Sequence, residues 1–472
     1  MKMCIGGKWT DRPERIEVVH PFDGAVVDTV PHGTLADVDA ALAAAVRGAK
    51  LMAQMTAWDR SQLLKKAAEK IETRLEEFAR TITLEEGKIL SEARFEVGRA
   101  VQTLALSAEE AKRMHGETVP LDAGPGVRNK FGFTLRVPCG VVVAITPFNF
   151  PLNLVTHKVG PALAAGNAVV IKAPSATPLS ALKLTEVLLE CGVPPEAISC
   201  LTGPGGELGD ALCRDDRVRK ITFTGSVPVG ERICRTAGIK RVTMELGSNS
   251  PIIVMPDADL GKVAEAVAAT GYSNAGQVCI STQRVIAQRG IYADLLAASK
   301  TRVEELTTGN PLHEKTKVGP MIREQEAVRV EQWIAEAVTS GGRIVAGGSR
   351  NGAIYSPTIV ADAKPEMRIC REELFGPAVA FTSFSDIDEA FTLANNSRYG
   401  LSAGVFTESV DTALKFAREL ESGNIHINWG PAWRADLMPY GGLKESGFGK
   451  EGPRYAIEEM TELKMVVFHL KN

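Results

Sequence analysis

Cys279 is the residue of this chain best suited to act as a nucleophile. It lies in a turn of small residues, 276–281, that follows a helical pattern over residues 260–273. A thiol attacks a carbonyl carbon only as its thiolate, so it needs a polar, partly open site near dipoles or a base. Upstream, Glu245 offers a base and Asn149 offers an amide donor. A lone cysteine is usually a small buried apolar residue, so the hypothesis depends on these two companions.

A glycine-containing turn could hold a phosphate group. Residues 224–230, with the sequence Thr-Gly-Ser-Val-Pro-Val-Gly, follow an apolar strand and open a helix. Glycines there let backbone amides approach an anion at the positive end of the helix. The α/β section around this turn has neither a G-x-G-x-x-G motif nor a P-loop lysine, so the ordinary nucleotide fingerprints are missing. By itself the pattern fits an ordinary tight turn as well as a phosphate site.

Composition excludes several classes of protein. The 472 residues are 44% apolar and 24% charged, as in an ordinary soluble globular chain, and are enough for two or three lobes. A net charge of −3 without lysine or arginine clusters argues against nucleic acid as a partner. No apolar run reaches membrane-spanning length. The eight cysteines are scattered without metal-ligand spacing, which indicates a reducing, cytoplasmic location and no metal site.

The order of hydrophobic patterns predicts an α/β chain. Residues 1–30 favour short strands and turns, and residues 36–115 favour helices. From residue 140 apolar strands alternate with helices, as in a doubly wound parallel sheet, and a second such unit begins near residue 247. An extended segment, 118–138, and an apolar strand, 463–468, lack obvious partners. We expect them to pair with each other or across subunits.

Seven short motifs, in order, resemble those of the aldehyde dehydrogenase superfamily, and the resemblance runs nearly end to end. They are Pro147-Phe-Asn-Phe-Pro151, Lys172-Ala-Pro-Ser175, Phe223-Thr-Gly-Ser226, Glu245-Leu-Gly247, Gly276-Gln-Val-Cys279, Glu373-Leu-Phe-Gly-Pro377 and Pro439-Tyr-Gly-Gly442. The resemblance implies two doubly wound α/β domains, a Rossmann-like dinucleotide domain (residues 1–115 and 139–246) and a catalytic domain (247–445). It also implies a β oligomerisation arm (116–138 and 459–472), and with it a homodimer or homotetramer.

The same resemblance implies oxidation of an aldehyde to an acid by way of a thioester. Cys279 would attack the carbonyl carbon, and Asn149 would donate to the developing oxyanion. A nicotinamide cofactor would then accept hydride, and Glu245 would activate the water that releases the acid. Because relatives that use coenzyme A generally lack this glutamate, its presence favours the free acid as product. Lys158 and Glu451 would assist proton flow; the alternative for these two is a surface charge pair.

For the cofactor, the resemblance leaves NAD and NADP open. Lys172 would hold the adenosine ribose and Glu373 the nicotinamide ribose. The other residues expected at the cofactor are Thr146, Phe148, Gly225, Ser226 and Phe375. Many NAD-preferring relatives carry Glu three residues after this lysine, where the present chain has Ser175. A serine would not repel the 2′-phosphate of NADP.

The substrate depends on two arginines. In the family that this chain resembles, the positions of Arg99 and Arg434 line the channel through which the aldehyde reaches the thiol. Phe150 and Tyr440 are the other substrate candidates. Two buried guanidinium groups would need an anion, which suggests a short aldehyde with a phosphate, phosphonate, sulfonate or carboxylate, such as phosphonoacetaldehyde or glyceraldehyde 3-phosphate. Val278 stands where several phosphate-using relatives carry another arginine. The alternatives are a neutral aldehyde such as lactaldehyde, two solvated arginines, or a non-catalytic structural relative.

Overall fold

Two mainly parallel β-sheets organise the chain in the computed structural model, which describes residues 1–471. The strands are β1 Met3–Ile5, β2 Lys8–Thr10, β3 Arg15–Val19, β4 Val26–Pro31, β5 Thr118–Val119, β6 Lys130–Pro138, β7 Val141–Ile145, β8 Ala168–Lys172, β9 Ile198–Leu201, β10 Lys220–Thr224, β11 Arg241–Glu245, β12 Ser250–Val254, β13 Thr282–Gln288, β14 Arg343–Ala346, β15 Arg350–Asn351, β16 Ile354–Tyr355, β17 Thr358–Ala361, β18 Ala378–Phe384, β19 Tyr399–Gly400, β20 Ser402–Phe406, β21 Asn424–Ile427, β22 Leu443–Lys444, β23 Gly447–Phe448 and β24 Thr461–His469. The α-helices are α1 Leu35–Gln54, α2 Ala57–Thr73, α3 Leu75–Glu86, α4 Leu90–Ala111, α5 Asn153–Ala164, α6 Leu179–Glu190, α7 Gly205–Arg214, α8 Val227–Ala237, α9 Leu260–Gly271, α10 Tyr292–Glu304, α11 Glu324–Thr339, α12 Arg368–Arg371, α13 Ile387–Asn395, α14 Val410–Glu419 and α15 Pro453–Glu459.

The first sheet has the strand order β2-β1-β9-β8-β7-β10-β11-β23, and its five central strands, β9 to β11 in that order, are parallel. Strands β7 and β8 are apolar and buried along nearly their whole length, because both faces of the sheet are covered. Strand β23, from the glycine-rich loop at residues 438–451, closes one edge against β11. Residues 446–458, which the sequence pattern assigned to no domain, therefore pack with this sheet. We call this sheet and its helices the first unit.

The second sheet, β14-β17-β18-β13-β12-β20-β21, is parallel except for the edge strand β14. Along β12 successive side chains face opposite sides, as the pleat requires: Ile252 and Val254 join one apolar cluster, and Ile253 joins the other. Two cores thus cover the two faces of this sheet, which with its helices forms the second unit. The prediction of two doubly wound α/β units is confirmed.

Four helices, α1 to α4, occupy the region of residues 36–115 for which the sequence pattern favours helices. Helix α1 begins with a capping box: the Thr34 hydroxyl accepts the Asp37 backbone N–H, and the Asp37 carboxylate accepts the Thr34 backbone N–H. Helix α4 packs against α2 and α5, so its inner side chains reach the segments that flank α5. Among the helices within residues 1–471, none combines the length and the apolar character that a membrane span requires.

The winding of the first sheet reverses between β7 and β10, which are neighbours in the sheet but distant in sequence. Thr146, Phe148 and Asn149 follow β7, whereas Gly225 and Ser226 follow β10 and lead into α8. In open α/β sheets, ligands bind beside the carboxyl ends of the strands at such a switch point. The fold therefore brings the cofactor candidates of two distant motifs to one edge.

The turn that carries Cys279 begins earlier than the sequence predicted. Helix α9 ends at Gly271 rather than at residue 273, because the residues that follow leave helical geometry. Asn274 and Ala275 have φ values of 49° and 53°, in the left-handed region that is costly for residues with a Cβ. Gly276 follows at φ 70°, where a Cβ would lie 2.1 Å from a neighbouring carbonyl oxygen. The thiol turn is thus strained and closely packed.

The two orphan extended segments pair with each other. Strand β24 lies antiparallel to β6 along its whole length, and β5 flanks the other side of β6. The intrachain alternative of the sequence prediction is therefore confirmed. Strand β24 is the outer strand of this arm and exposes the apolar side chains of Leu463, Met465, Val467 and Phe468. An exposed apolar edge is a template for another chain; the homodimer or homotetramer stays a prediction.

Candidate active site

The thiol of Cys279 lies in a small apolar cluster to which both units contribute, with Phe150 from the first and Ile280 from the second. Its Sγ lies 3.5 Å from the hydroxyl oxygen of Tyr440. Burial raises the pKa of the Cys279 thiol to about 12, and the hydrogen bond with Tyr440 lowers it in part. In this state the thiol is protonated at neutral pH, so it must lose its proton to a base before it can attack.

The side-chain amide of Asn149 is held beside the thiol turn. Its Nδ2 donates a hydrogen bond to the carbonyl oxygen of Gln277, two residues before Cys279, at 2.8 Å. Asn149 is buried and follows β7, so its amide reaches the turn from the first unit. Because an amide nitrogen carries two N–H donors, the second can serve an oxygen atom bound at the thiol.

The carboxyl group of Glu245 stands at the end of β11 without a partner. Both of its oxygens are buried and make no hydrogen bond within the described part of the chain, residues 1–471. Burial and the negative charge of Glu451 raise the pKa of Glu245 well above its usual value. A Cβ at Gly441 would lie 2.8 Å from Oε1, so the glycine-rich loop closes over this group. A carboxylate with a raised pKa and free oxygens is a stronger base than an ordinary carboxylate, so it is suited to take a proton from a bound group.

Lys158 and Glu451 form a buried ion pair, so the alternative of a surface pair is wrong. The Lys158 ammonium donates to Oε1 of Glu451 and to the hydroxyl of Thr224, both at 2.7 Å. Arg434 donates to the other oxygen of Glu451 at 3.0 Å. Burial alone would raise the pKa of Glu451, but the two cations outweigh it and hold that pKa well below its usual range. Glu451 therefore remains ionised and keeps its influence on Glu245.

The guanidinium of Arg434 is buried close to the thiol, so it is not a solvated surface group. Its central carbon lies 3.9 Å from the centroid of the Tyr440 ring, and Nη2 lies 3.1 Å from Nδ1 of His157. The side chain is 5% exposed, and its Nε has no hydrogen-bond partner among residues 1–471. A buried donor without an acceptor costs about 1–3 kcal/mol. An acceptor on a bound ligand would remove that cost.

Arg99 already has an anion inside the protein. Its Nε and Nη2 donate to the two oxygens of Asp436 at 3.2 Å and 2.7 Å. The expectation that both arginines depend on the substrate for an anion is therefore wrong, because Asp436 pairs with Arg99 and Glu451 pairs with Arg434. Arg99 remains 17% exposed, so it is neither fully solvated nor fully buried.

His157 links the two halves of this network. Its Nε2 lies 2.8 Å from Oδ1 of Asp436. Burial and the charge of Arg434 lower the pKa of His157 to about 4, so the imidazole is neutral at pH 7. It therefore donates from Nε2 to Asp436 and accepts from Arg434 at Nδ1. The network comprises Lys158, Glu451, Arg434, His157, Asp436 and Arg99. It holds three cations and two carboxylates, so one positive charge is uncompensated while Glu245 is protonated.

The ends of β8 and β10 fit the phosphate and adenosine parts of a dinucleotide. The Lys172 ammonium is buried, which lowers its pKa to about 8, and it donates to the Ala173 carbonyl oxygen at 2.6 Å. Ser175 is exposed nearby, with its hydroxyl on a backbone carbonyl. After β10, a Cβ at Gly225 would lie 2.4 Å from a Phe223 ring atom, and no side chain caps the start of α8. Backbone N–H groups there can receive an anion.

The second place expected to hold the cofactor, beside Gly247 and Glu373, has a space that a larger residue at position 247 would fill. A Cβ at Gly247 would lie 2.5 Å from Oε2 of Glu373, whose Oε1 accepts a backbone N–H at 2.8 Å. Burial raises the pKa of Glu373 to about 7. Phe375, in the left-handed region at φ 50°, packs edge-on against Phe148 with 5.9 Å between ring centroids. The hydroxyl of Thr146 donates to the carbonyl oxygen of Lys172, the last residue of β8, at 3.5 Å. These residues fit a nicotinamide dinucleotide.

Four polar residues of the site were not predicted from the sequence: His157, Asp436, Lys88 and Glu96. A signal was available for His157, because His157 and Lys158 lie together in helix α5, most of whose other residues are apolar. Polar groups in a buried helix must find partners, so such a pair indicates an internal network. Asp436, two residues after Arg434, lies in an irregular loop where no periodicity marks it. Lys88 and Glu96 are taken up below, with the segment they hold.

A dinucleotide fold beside a buried thiol, an amide donor and an unpartnered carboxyl defines an oxidoreductase of the thiol-dependent class. The model of the aldehyde dehydrogenase family matches residues 9–466. A 3-sulfolactaldehyde dehydrogenase from Priestia aryabhattai is 48% identical over 468 residues, which cover 99% of this chain and 98% of that protein. A lactaldehyde dehydrogenase from Methanococcus vannielii is 39% identical over 471 residues, 99% of this chain and 100% of that protein.

Solved structures agree with this relationship. Aldehyde dehydrogenase 21 from Physcomitrella patens, in complex with the reaction product succinate, has a TM-score of 0.96 and 39% identity over 99% of this chain and 98% of its own. Glyceraldehyde-3-phosphate dehydrogenase GapN from Methanocaldococcus jannaschii, complexed with NADP, has a TM-score of 0.94 and 35% identity over 98% and 100% of the two chains. The chain belongs to the aldehyde dehydrogenase family.

Replacing Tyr440 by phenylalanine tests the electrostatic setting of the thiol. Tyr440→Phe removes the hydrogen bond that lowers the pKa of Cys279, so this pKa should rise and the thiolate fraction at about pH 8 should fall. Alkylation of Cys279 by iodoacetamide, followed by mass spectrometry, should slow by up to about tenfold, the effect of one pKa unit. Tyr292→Phe, outside the site, is the control. An unchanged or faster alkylation rate in Tyr440→Phe would contradict the assigned contact.

Proposed function

We propose that this chain oxidises a short anionic aldehyde to the free carboxylic acid, with NAD or NADP as hydride acceptor. One observation carries the proposal: the Cys279 thiol, the Asn149 amide and an unpartnered Glu245 carboxyl meet in one buried site. Membership of the aldehyde dehydrogenase family supports the reaction type. A non-catalytic structural role would need none of these three groups.

The chain's own residues supply each step of covalent chemistry. The Cys279 thiol gives its proton to water, its sulfur adds to the carbonyl carbon, and the Asn149 amide stabilises the oxygen as it gains negative charge. A nicotinamide dinucleotide, when bound, supplies the hydride acceptor that leaves an acyl thioester on Cys279. Glu245 takes a proton from water, whose oxygen adds to the thioester carbon and displaces the thiol as the acid leaves. The ionised Glu451, held by Lys158, raises the pKa of Glu245 and so helps it to take that proton.

Both dinucleotides remain candidates. Lys172 and Glu373 would bind the two riboses, and the Gly225–Ser226 turn would receive the pyrophosphate. Ser175 is exposed next to this region, without the carboxylate that would repel a 2′-phosphate. The GapN structure that this chain resembles contains NADP. These observations support acceptance of NADP without excluding NAD.

The charge of the site supports a monoanionic substrate. While Glu245 is protonated, one positive charge is uncompensated in the network, and the buried Nε–H of Arg434 lacks an acceptor among residues 1–471. A sulfonate or carboxylate would balance one charge, whereas a phosphate group brings about −1.5 to −2 charges. One similar protein is named for the anionic aldehyde 3-sulfolactaldehyde, and the structure of another contains its reaction product succinate. Phosphonoacetaldehyde and glyceraldehyde 3-phosphate fit this balance less well.

A neutral hydroxyaldehyde such as lactaldehyde is the second candidate. The specific observation in its favour is that Arg99 and Arg434 each already contact a carboxylate. The Methanococcus relative is also named a lactaldehyde dehydrogenase. In this alternative the arginines would be structural, and the Arg434 Nε would bind a hydroxyl or water oxygen.

Glu245→Gln tests the proposed base. Acylation should remain, so the variant should release a burst of about one reduced dinucleotide per site. Turnover should then be about 10²–10⁴-fold slower, because a general base contributes roughly that factor. Stopped-flow absorbance with a panel of short aldehydes, run with both NAD and NADP, measures the burst, the steady state and the cofactor preference.

Cys279→Ala is the control for this experiment and should show neither burst nor turnover while it still binds dinucleotide. Full steady-state activity in Glu245→Gln would overturn the role of this base. Near-wild-type activity in Cys279→Ala would overturn the nucleophile.

Arg434→Met tests the anionic substrate. For 3-sulfolactaldehyde and succinic semialdehyde, kcat/KM should fall by about 10–100-fold, because a hydrogen bond to a charged group contributes ~1.5–3 kcal/mol. For lactaldehyde and butanal, the matched neutral aldehydes, the fall should be smaller, because these substrates are affected only by the loss of the contact between Arg434 and Glu451. Arg99→Met should have a smaller effect on the anionic pair, because two of its donors already serve Asp436.

A surface arginine provides the matched control: Arg350→Met, which removes a guanidinium paired with Glu324 and Glu331, should change neither class of substrate. Equal kcat/KM of the wild-type enzyme for 3-sulfolactaldehyde and lactaldehyde at low ionic strength would remove the anion hypothesis. The neutral hydroxyaldehyde would then replace it.

A further inference from the structure

Lys88 is a buried cation close to the site that has no part in the proposed chemistry. Its ammonium donates to Oε2 of Glu96 and to the backbone carbonyl oxygen of Asn149, both at 2.6 Å. It also lies 3.9 Å from the centroid of the Phe150 ring. A buried charge is tolerated only with such partners, and the loss of one partner is costly. The lysine therefore fixes the backbone of Asn149.

Glu96 holds the same segment at a second point. Its Oε1 accepts the backbone N–H groups of Leu152 and Asn153 at 2.9 Å and 3.1 Å. These donors, at the start of α5, have no acceptor within the helix, and the helix dipole favours a carboxylate there. Asn149 thus lies between two anchored points, its own carbonyl group and the start of α5.

Asn274 ties the thiol turn to the same anchor. Its Nδ2 donates to Glu86 at 2.9 Å and lies 3.3 Å from the carbonyl oxygen of Asn149. Its backbone N–H donates to the Glu92 carboxylate at 3.1 Å. Because Asn274 has left-handed backbone geometry, these bonds hold the strained start of the turn. The carbonyl oxygen of Asn149 is therefore shared by Lys88 and by the segment that leads to the thiol.

We infer that Lys88 and Glu96 are positioning residues that set the place of the Asn149 amide relative to the Cys279 thiol. The inference rests on the proposed function, in which the carbonyl oxygen of the substrate is received by that amide. An oxyanion donor is effective because it is fixed before the reaction, and loss of one donor costs about 10²–10³-fold in rate. A displacement of about 1 Å can cost roughly 10²-fold.

Two reagents separate positioning from the general reactivity of the thiol. p-Nitrophenyl acetate transfers its acetyl group to the Cys279 sulfur through an oxyanion, with release of nitrophenolate. Iodoacetamide alkylates the same sulfur by displacement of iodide, and no oxyanion forms. Neither reaction needs an aldehyde or a dinucleotide. In Lys88→Met the ratio of the acylation rate to the alkylation rate should fall by about 10–100-fold.

A second buried lysine provides the matched control. Lys220 is fully buried, and its ammonium contacts Thr243 and Glu459 in the first unit. Lys220→Met should reduce stability yet leave the ratio unchanged. If Lys88→Met does not fold, the double variant Lys88→Met with Glu96→Gln removes both buried charges together and is used instead.

The Asn149→Ala background tests whether Lys88 acts through the amide. There Lys88→Met should lower the ratio little further, because no amide remains to be positioned. The inference would be overturned if Lys88→Met slowed acylation and alkylation equally. It would also be overturned if Lys88→Met lowered the ratio as much in the Asn149→Ala background as it does in the wild type. The wild-type protein could fail to oxidise any aldehyde while its ratio of acylation to alkylation rates still depended on Lys88. That result would overturn the proposed function and leave the positioning role in place.

Discussion

A chain of buried charges holds the candidate site together. Successive members contact each other at 2.7–3.1 Å, through Lys158, Glu451, Arg434, His157, Asp436 and Arg99 in that order. Removing ions from water costs several kcal/mol each, so the members are stable only while they hold one another in place. They come from α4, α5, the glycine-rich loop and the loop before it. The same contacts therefore join distant parts of the chain around one thiol.

These contacts also decide which groups of the site carry protons. The two cations beside Glu451 keep it ionised, and its charge, with burial, raises the pKa of Glu245. Burial and Arg434 keep His157 neutral. A network of fixed charges thus sets up a proton acceptor beside the thiol, and its one excess positive charge is available to a ligand. On the other side of the thiol turn, Lys88 and Glu96 fix the amide donor by the same means.

The sequence predicts elements that depend on neighbouring residues and misses contacts between residues that are far apart in the chain. The alternation of apolar strands with helices from residue 140 was predicted, because an apolar run such as that of β8 indicates burial on both faces of a sheet. The end of α9 was missed: small residues suit a helix or a turn equally well, and Asn274 is held by carboxylates from α3 and α4. Cys279, Asn149 and Glu245 were predicted through their motifs, and their catalytic roles stay predictions. The partner of Arg99 was not predicted, because no periodic pattern links Arg99 to Asp436, which lies 337 positions further along the chain.

The pH dependence of deacylation in Glu451→Gln tests the role of the charge network most directly. Hydrolysis of the acetyl group placed on Cys279 by p-nitrophenyl acetate can be followed from about pH 5 to 9. In the wild type the rate should rise with pH as Glu245 loses its proton. Removing the negative charge of Glu451 lowers the pKa of Glu245, so this rise should move to lower pH by about one unit. A rise at the same or a higher pH would contradict the central role given to the network.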